Sequence, residues 1–262
     1  DTRGVARFTR YVGDGRGLHA GFVLQLGLTR WDPERIAATI VDYQRHANGG
    51  CAWEVSDHDQ ARAVSRYGGG EVGLRRTVAL ITLLMALDGI PFLYQGEELG
   101  LPDAQLAGAP ADPMAARNAE GTWGRDVARG PMPWSVDGPT NGFSAGPAWL
   151  ATIPLPASLT VESQQLDAES TWQRYHRMVT LRKQHPQLWS APLQFESIDG
   201  PRLVIARGSL RVVANLGTEP SSVAALQGDR VLFESAAGAC TPGESAWLVA
   251  PESTVVLARQ EP

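Results

Sequence analysis

The sequence predicts a mixed α/β fold followed by a small antiparallel all-β domain, and two patterns carry this prediction. Over the first part of the chain, short apolar runs alternate with helix-like runs, which is typical of parallel βαβ units. After the last helix-like run the apolar period changes to two, and short runs are separated by turn residues. The 262 residues, 43% hydrophobic and 19% charged, can bury one large or two ordinary cores.

The first βαβ unit is predicted from its apolar runs and its helix signals. Residues 1–21, rich in Gly and Arg, predict a loop or a ragged edge, and residues 22–28 (FVLQLGL) predict a buried strand. Asp32 is a predicted helix N-cap, with Pro33 as the first helical residue. A second strand is predicted over residues 51–55.

The second unit leads into a long segment without periodicity. Residues 73–87 are apolar nearly all round, which predicts a helix buried on most sides, and residues 90–94 predict the next strand. Residues 99–168 show no regular period, and a loop of this length inside a compact domain is expected to be functional. Ser170 then caps an amphipathic helix that ends before Pro186.

The C-terminal part of the chain is predicted to be all-β, because its apolar residues recur with period two between turn residues. The predicted strands are 203–206, 210–215, 231–233, 247–249 and 255–258. A complete eight-unit barrel needs about 250 residues, and fewer precede this part of the chain. The pattern alone therefore leaves open a smaller parallel sheet or the later part of a barrel.

Charge and cysteine content exclude several function classes. The net charge is −5 and no basic block is present, so we expect no nucleic-acid and no membrane partner. Cys51 and Cys240 lie far apart in no metal-binding pattern, so we expect reduced thiols, no metal and no cofactor. No apolar run approaches the ~20 residues of a membrane span, and no signal peptide is recognisable, which predicts a cytoplasmic protein.

Polar side chains follow two consecutive predicted strands. Asp57, His58 and Asp59 follow the second strand, and Glu97 and Glu98 follow the third. Parallel α/β folds place their chemistry at the carboxyl ends of the strands, so these tips are candidate site residues. Glu97 and Glu98 could form an acid/base pair, but neighbouring residues on a strand point to opposite faces, and we assign them no catalysis.

Several motifs, in order along nearly the whole chain, resemble glycoside hydrolase family 13, the α-amylase family. The resemblance is closest to the α-glucosidase and oligo-1,6-glucosidase branch. The motifs are YVGDGRGLHAGF (11–22), SDHDQAR (56–62), GIPFLYQGEELGL (89–101), GRDVARGPMPW (124–134), GFSAG (142–146) and YHRMVTLRKQHPQLW (175–189). A single motif of this kind is weak evidence for the family, whereas this many motifs in the family's order are specific evidence.

The resemblance implies the C-terminal part of a (β/α)8 TIM barrel, about strands six to eight, followed by a small antiparallel all-β domain. Residues 1–188, with the long loop 99–168, would form the barrel part of the catalytic domain, and residues 189–262 a C-terminal antiparallel β-sandwich. Two features depart from the family's pattern. FVLQLGL lacks the usual signature of strand six, and Asp57 stands where the family has Asn.

The implied function is that of a retaining α-glucosidase-type glycoside hydrolase, which acts on α-glucosides or oligosaccharides through an oxocarbenium-like transition state. By the motif, Asp59 stabilises the transition state, His58 binds the same sugar ring and Arg129 contacts the terminal glucose. The family's nucleophilic Asp and acid/base Glu have no counterpart in this chain. The chain alone is therefore expected to be inactive, with the N-terminal half of the barrel on a missing segment or a second chain.

Three alternatives stay open at this point. The parent protein could be a transglycosylase, a sucrose or trehalose isomerase of the same family, or a non-catalytic scaffold or binding module.

The tryptophans of the long loop, Trp123, Trp134 and Trp149, could stack on sugar rings or form the loop's own small core. Arg125 and Asp126 are expected to make contacts within the loop.

Overall fold

A computed structural model of the protein describes residues 2–12, 17–117 and 124–259. The chain divides into two compact units, which we describe separately. The first comprises Asp1–Glu54, Arg75–Phe92 and Met178–Pro262, and the second comprises Val55–Leu74 and Leu93–Arg177. The predicted domain boundary between residues 188 and 189 stays a prediction.

Helices and strands are numbered in chain order within the described residues. The helices are α1 Thr2–Val12, α2 Leu24–Leu28, α3 Pro33–His46, α4 Ala63–Arg66, α5 Gly70–Leu84, α6 Pro113–Arg117, α7 Val161–Leu166, α8 Thr171–Gln184 and α9 Gln187–Ser190. The strands are β1 Gly21–Phe22, β2 Cys51–Trp53, β3 Ile90–Pro91, β4 Leu193–Asp199, β5 Arg202–Arg207, β6 Leu210–Asn215, β7 Ser221–Ala224, β8 Arg230–Glu234, β9 Cys240–Pro242, β10 Ala246–Val249 and β11 Ser253–Ala258. Short 3-10 turns occupy Glu97–Leu99, Asp126–Ala128 and Ala157–Leu159.

The first unit contains a small parallel sheet with the order β1-β2-β3. Gly21 pairs with Cys51, and Trp53 pairs with Pro91, both in parallel register. The chain passes through α3 between β1 and β2, as the βαβ pattern predicted. The helix begins as predicted, because the Asp32 carboxylate accepts a hydrogen bond from the Arg35 N–H at 3.1 Å.

The predicted loop or ragged edge over residues 1–21 is wrong for residues 2–12, because α1 covers Thr2–Val12. Residues 1 and 13–16 lie outside the described residues. Val5 and Val12 are buried on one face of this helix, and the ring of Phe8 packs edge-on against Tyr43 at 5.1 Å between centroids. The many Gly and Arg residues concealed this apolar face in the sequence.

The predicted strand over residues 22–28 is also wrong, because only Phe22 is in a strand and α2 covers Leu24–Leu28. Val23 and Leu26 are fully buried, whereas Leu24 and Leu28 are exposed, which is a helical burial period. A short continuous apolar run is compatible with either a strand or a helix, so the sequence could not distinguish them.

The C-terminal part of the first unit is antiparallel, as predicted. It forms a five-stranded sheet with the order β4-β5-β6-β11-β8 and a three-stranded sheet with the order β7-β10-β9. Val213 and Val255 of the larger sheet share a buried cluster with Val249 of the smaller one. Strands β4, β7 and β9 escaped prediction because many of their residues are exposed and polar. The mixed α/β class is confirmed; which part of a barrel the parallel strands represent stays a prediction.

The second unit is built mainly from the long loop, which is as irregular as predicted. One cluster of its core consists of Leu99, Leu101, Met132 and Val161, all buried. Gln164 ties the loop together, since its side-chain amide donates to the Leu99 carbonyl at 2.9 Å.

In the described residues, no helix is both long enough and apolar enough to cross a membrane.

Candidate functional site

The segment after β2 is shaped by hydrogen bonds between its own side chains and backbone. The Asp57 carboxylate accepts the backbone N–H of Asp59 at 2.6 Å, and the Ser56 hydroxyl accepts the N–H of Ala63 at 3.0 Å. Such side chain to backbone bonds form a turn that replaces the strand ladder. The strand therefore ends at Trp53, and Asp57, the residue that departs from the family motif, serves the turn that presents Asp59.

The Asp59 carboxylate lies at the centre of a charged cluster in the second unit. Its Oδ1 atom accepts hydrogen bonds from Arg129 Nη2 at 2.9 Å and from Arg125 Nη1 at 3.1 Å. The His58 Nε2 atom lies 3.6 Å from the same oxygen. Among the described residues, no group donates a hydrogen bond to Oδ2, and the side chain is 48% exposed. One oxygen is thus fixed by protein and the other is open to a ligand.

The charges around Asp59 keep it ionised. Partial burial acts to raise its pKa, but the hydrogen bond from Arg125, the charge of His58 and the hydrogen bond from Arg129 outweigh burial and lower the pKa below its usual value. A carboxylate in this state accepts hydrogen bonds and donates none, which suits the recognition of hydroxyl groups.

Arg125 is held in place by a buried carboxylate on the long loop. Asp112 accepts Arg125 Nε at 2.9 Å, Nη2 at 3.0 Å and the backbone N–H at 2.8 Å. The Asp112 side chain is fully buried, and the hydrogen bond from Arg125 lowers its pKa well below the usual range. Asp126 in turn accepts the N–H groups of Ala111 and Asp112 at 2.7 and 2.9 Å. Arg125 therefore reaches Asp59 from a rigid base.

The prediction for Arg125 was half right. Its contact with Asp112 lies within the loop, as expected, but its contact with Asp59 lies outside it. No signal in the sequence marks Asp112, which stands in no motif and joins the cluster only through the fold of the loop.

Arg129 contacts both other predicted site residues, His58 and Asp59. Its Nε atom donates to the His58 carbonyl at 2.8 Å while Nη2 binds Asp59. The structure thus brings together the three residues predicted from the family motifs. Their roles in catalysis and substrate binding stay predictions.

Arg62, the last residue of the SDHDQAR motif, supports this arrangement from within the unit. It is 3% exposed, and its guanidinium donates to the Gln95 carbonyl at 2.7 Å and to the Ala128 carbonyl at 3.0 Å. The guanidinium also lies over the Tyr94 ring, 5.2 Å from its centroid, and the Tyr94 hydroxyl donates to the Ala128 carbonyl at 3.0 Å. Because Ala128 precedes Arg129, these bonds position the backbone that carries Arg129.

Glu97 is buried, so the pair with Glu98 does not present two carboxylates to a substrate. Glu97 Oε1 accepts a hydrogen bond from the Tyr175 hydroxyl at 3.5 Å. Burial raises the pKa of Glu97 to about 8; Glu98 adds to this, whereas Arg62 is among the groups that oppose it. The glutamate is therefore largely protonated at neutral pH.

A cleft of about 380 Å³ extends from Arg129 along the long loop. Its volume lies in the range of small-molecule sites. Gln95 and Arg129 line its polar part, and Met132, Phe143 and Trp149 line its apolar part. Trp149 is 76% exposed and Trp134 is half exposed, whereas Trp123 lies outside the described residues.

The thiols and carboxylates of the chain form no alternative centre that the structure describes. In the described ranges, no group of three His, Cys, Asp or Glu residues is placed to hold a metal ion. Cys51 and Cys240 are free and buried, and burial raises the pKa of Cys51 to about 12 and that of Cys240 to about 11. Neither thiol is activated as a nucleophile.

Comparison with known proteins places this arrangement in context. Residues 25–191 match the alpha-amylase family, described as the catalytic domain of alpha amylase. A probable alpha-glucosidase of Rhizobium meliloti is 32% identical over 209 residues, 78% of this chain and 38% of that protein. An oligo-1,6-glucosidase of Parageobacillus thermoglucosidasius is 29% identical over 178 residues, 59% of this chain and 31% of that protein.

Solved structures agree in fold. An alpha-glucosyl transfer enzyme superimposes with a TM-score of 0.78 at 29% identity, covering 97% of this chain and 49% of that one. An isomaltulose synthase from a Klebsiella species superimposes with a TM-score of 0.79 at 22% identity, covering 97% of this chain and 53% of that one. The chain therefore spans about a third of the curated relatives' length and about half of each structure.

Proposed function

Since this chain belongs to the alpha-amylase family, we propose that it supplies the sugar-binding side of an active site of the retaining α-glucosidase type. The substrate would be an α-glucoside or a short α-linked oligosaccharide. One observation supports the proposal above the others: Arg125 and Arg129 bind the same oxygen of Asp59, whose second oxygen is open.

The cluster has the donors and acceptors that a glucosyl ring requires. Asp59 Oδ2 can accept a sugar hydroxyl, while Arg129 and His58 lie beside it as donors. The carboxylates of Asp59 and Asp112 are each paired with a guanidinium, Asp59 with both Arg125 and Arg129 and Asp112 with Arg125. A neutral sugar can therefore bind without leaving either of these two carboxylates unpaired.

In the proposed reaction Asp59 acts on the transition state. Retaining hydrolysis passes through an oxocarbenium-like ring that carries positive charge. A fixed carboxylate beside this ring stabilises the developing charge without reorganising, which is how electrostatic catalysis lowers a barrier. Arg125 and Arg129 keep Asp59 ionised and in place, so it is present as an anion when the charge develops.

The bond-breaking groups of the proposed reaction lie outside these 262 residues. A carboxylate nucleophile would form the glycosyl-enzyme bond, and a carboxylic acid would protonate the departing oxygen. We propose that both come from the N-terminal half of the barrel, carried on a preceding segment or on a second chain. The 262-residue chain alone would then bind the sugar without hydrolysing it.

The proposal is tested on a purified chain whose intact mass confirms a single 28.1 kDa species. Binding of methyl α-glucoside is followed by ligand-observed NMR, and turnover of p-nitrophenyl α-glucoside by absorbance. We expect binding without turnover, and weaker binding in Asp59→Asn. Asp167→Asn is the matched control, since Asp167 is an exposed aspartate outside the cluster, where it accepts the backbone N–H of Glu169. Binding that survives Asp59→Asn, or turnover by the 28.1 kDa species, would contradict the proposal.

A second candidate is glucosyl transfer within the same family. The superposition with an alpha-glucosyl transfer enzyme at 29% identity favours it, and a sucrose or trehalose isomerase would be a variant of the same chemistry. Product analysis of the reconstituted enzyme with an added acceptor sugar separates transfer from hydrolysis. A scaffold or binding module is the remaining alternative, and reconstitution with the barrel's first half would then produce no turnover.

A further inference from the structure

Arg66 binds the backbone at both ends of the turn that carries Asp59. Its Nη1 atom donates to the Ala61 carbonyl at 2.5 Å, and its Nη2 atom donates to the Val55 carbonyl. These two carbonyls flank the stretch 56–60, in which Asp59 lies. One guanidinium therefore joins the two ends of the turn.

The Arg66 guanidinium is itself held in place by Tyr67. Its Cζ atom lies over the Tyr67 ring, 4.8 Å from the centroid, and Nη2 also donates to the Tyr67 hydroxyl at 3.4 Å. Tyr67 is fully buried, so the ring is a fixed support. A planar guanidinium that is stacked in this way is already oriented for binding two carbonyls. Arg66 can therefore keep the two ends of the turn at a fixed separation.

A further contact ties the start of the same turn to α4. The Ser56 hydroxyl accepts the N–H of Ala63, the first residue of α4, at 3.0 Å, and Arg66 is the last residue of that helix. Within the turn, the Asp57 carboxylate accepts the Asp59 N–H at 2.6 Å. The short helix α4 thus forms the base on which the turn is built.

The position of this turn determines whether Asp59 can meet its two arginine partners. Arg129 and Arg125 bind Asp59 Oδ1 at 2.9 and 3.1 Å. Asp112 holds Arg125 in the loop, and Arg62 holds the backbone that carries Arg129. Because both arginines are fixed by other groups, a shift of the turn by about 1 Å would take these contacts out of the usual range of ~2.7–3.2 Å.

The acceptors of Arg66 distinguish it from Arg62, the other arginine of this segment. Arg62 donates to the carbonyls of Gln95 and Ala128, which belong to two other segments. The two carbonyls that Arg66 binds both belong to the turn itself. Loss of the Arg66 guanidinium is therefore expected to act first on the turn.

We propose that Arg66 is a positioning residue of the sugar site, which keeps Asp59 in place by joining the Val55 and Ala61 carbonyls through one guanidinium. The inference rests on the proposed function, because the sugar site is the one that Asp59 is proposed to form. Arg66 acts through the backbone of the turn and does not contact the sugar. Its removal leaves the Asp59 carboxylate intact but displaces it from its two guanidinium partners.

The test measures the pKa of Asp59 and the affinity for methyl α-glucoside in the 262-residue chain. Aspartate with an isotope-labelled carboxyl carbon reports the titration by NMR, and Asp59→Asn assigns the signal. Arg66→Met keeps the apolar stem and removes both donors. Burial acts to raise the pKa of Asp59, whereas contacts led by the hydrogen bond from Arg125 lower it below its usual value. In Arg66→Met we therefore expect this pKa to rise towards its usual value.

The same variant should bind methyl α-glucoside about tenfold more weakly, which corresponds to the loss of roughly one hydrogen bond to a charged group. Arg66→Lys keeps the positive charge but not the planar fork, so its Asp59 pKa and its affinity should lie between those of wild type and Arg66→Met. Arg177→Met is the matched control, because Arg177 is an exposed arginine of the same unit that donates to another backbone carbonyl, that of Ala168, at 2.8 Å. Both values should equal those of wild type in this control.

Thermal denaturation shows which variants are folded, and only folded variants are titrated. A folded Arg66→Met with the Asp59 pKa and the affinity of wild type would overturn the inference. If Arg66→Met does not fold, Arg66→Lys decides, and values equal to wild type in that variant overturn the inference as well. Weaker binding with an unchanged Asp59 pKa would also overturn it, because Arg66 would then act by another route. If the wild-type chain binds no methyl α-glucoside, the proposed function fails, whereas the Asp59 pKa still decides whether Arg66 positions this carboxylate.

Discussion

Replacing Arg62 by Met tests whether the buried guanidinium holds the site together. Arg62→Met keeps the apolar stem and removes the bonds to the Gln95 and Ala128 carbonyls. Hydrogen bonds from a charged donor contribute about 1.5–3 kcal/mol each. Two effects reduce the loss. The Ala128 carbonyl keeps its hydrogen bond from the Tyr94 hydroxyl. The variant also avoids the cost of desolvating the guanidinium, and it is this desolvation that lowers the pKa of Arg62. We therefore expect a loss of about 3 kcal/mol in the free energy of unfolding.

The assay is urea denaturation of wild type and three variants. Arg62→Lys keeps the charge but not the fork that spans two carbonyls, so its loss should be intermediate. Arg30→Met is the control, since Arg30 is exposed, and its effect should stay within about 0.5 kcal/mol. The same samples are titrated with methyl α-glucoside, because displacement of Ala128 should also displace Arg129. A loss below about 0.5 kcal/mol in Arg62→Met would refute the reasoning.

Three further predictions concern the surroundings of the site. The pKa of Glu97 is raised to about 8 in the folded chain, against an ordinary 4.5. As the pH rises, the unfolded chain therefore releases this proton before the folded chain does. Through this group, the free energy of unfolding should fall as the pH rises from 4.5 to about 8, by on the order of 1 kcal/mol per pH unit. Glu97→Gln should show a flatter pH dependence in denaturation measured from pH 5 to 8, and an unchanged slope would contradict the assignment. Gly96→Ala should lower the free energy of unfolding by about 1–3 kcal/mol, because φ is +82° and the added Cβ would clash with the Leu101 side chain. A thermal or urea midpoint equal to that of the wild type would show that the turn tolerates a side chain. Asp112→Asn removes the negative charge that holds Arg125, so methyl α-glucoside should bind roughly threefold more weakly or worse. An affinity equal to that of the Asp167→Asn control would mean that the position of Arg125 does not depend on Asp112.

Local signals in the sequence predicted those parts of the fold that depend on neighbouring residues. Asp32 before Pro33 marked the start of α3, and the Ser170 hydroxyl accepts the Gln173 N–H at 3.2 Å at the start of α8. Alternation of apolar residues identified strands such as β6 and β11. These predictions succeeded because capping and alternation act over a few residues.

Features that depend on distant residues escaped the sequence. Asp112 reaches Arg125 only because Asp126 draws the loop backbone into place. The burial of Arg62 likewise depends on carbonyl groups of two separate segments. The contact of Asp59 with His58 and Arg129 could be anticipated only from the family motifs, because no local pattern joins residues 70 positions apart.

The most direct test of the proposed function supplies the N-terminal half of the barrel that we propose carries the bond-breaking groups. A polypeptide carrying the first barrel units of the family is combined with this chain, and p-nitrophenyl α-glucoside turnover is measured with wild type, Asp59→Asn and Asp167→Asn. We expect no turnover by either half alone, turnover by the combination, and loss of that turnover in Asp59→Asn only. Turnover by this chain alone, or a combined activity that survives Asp59→Asn, would contradict the proposed function.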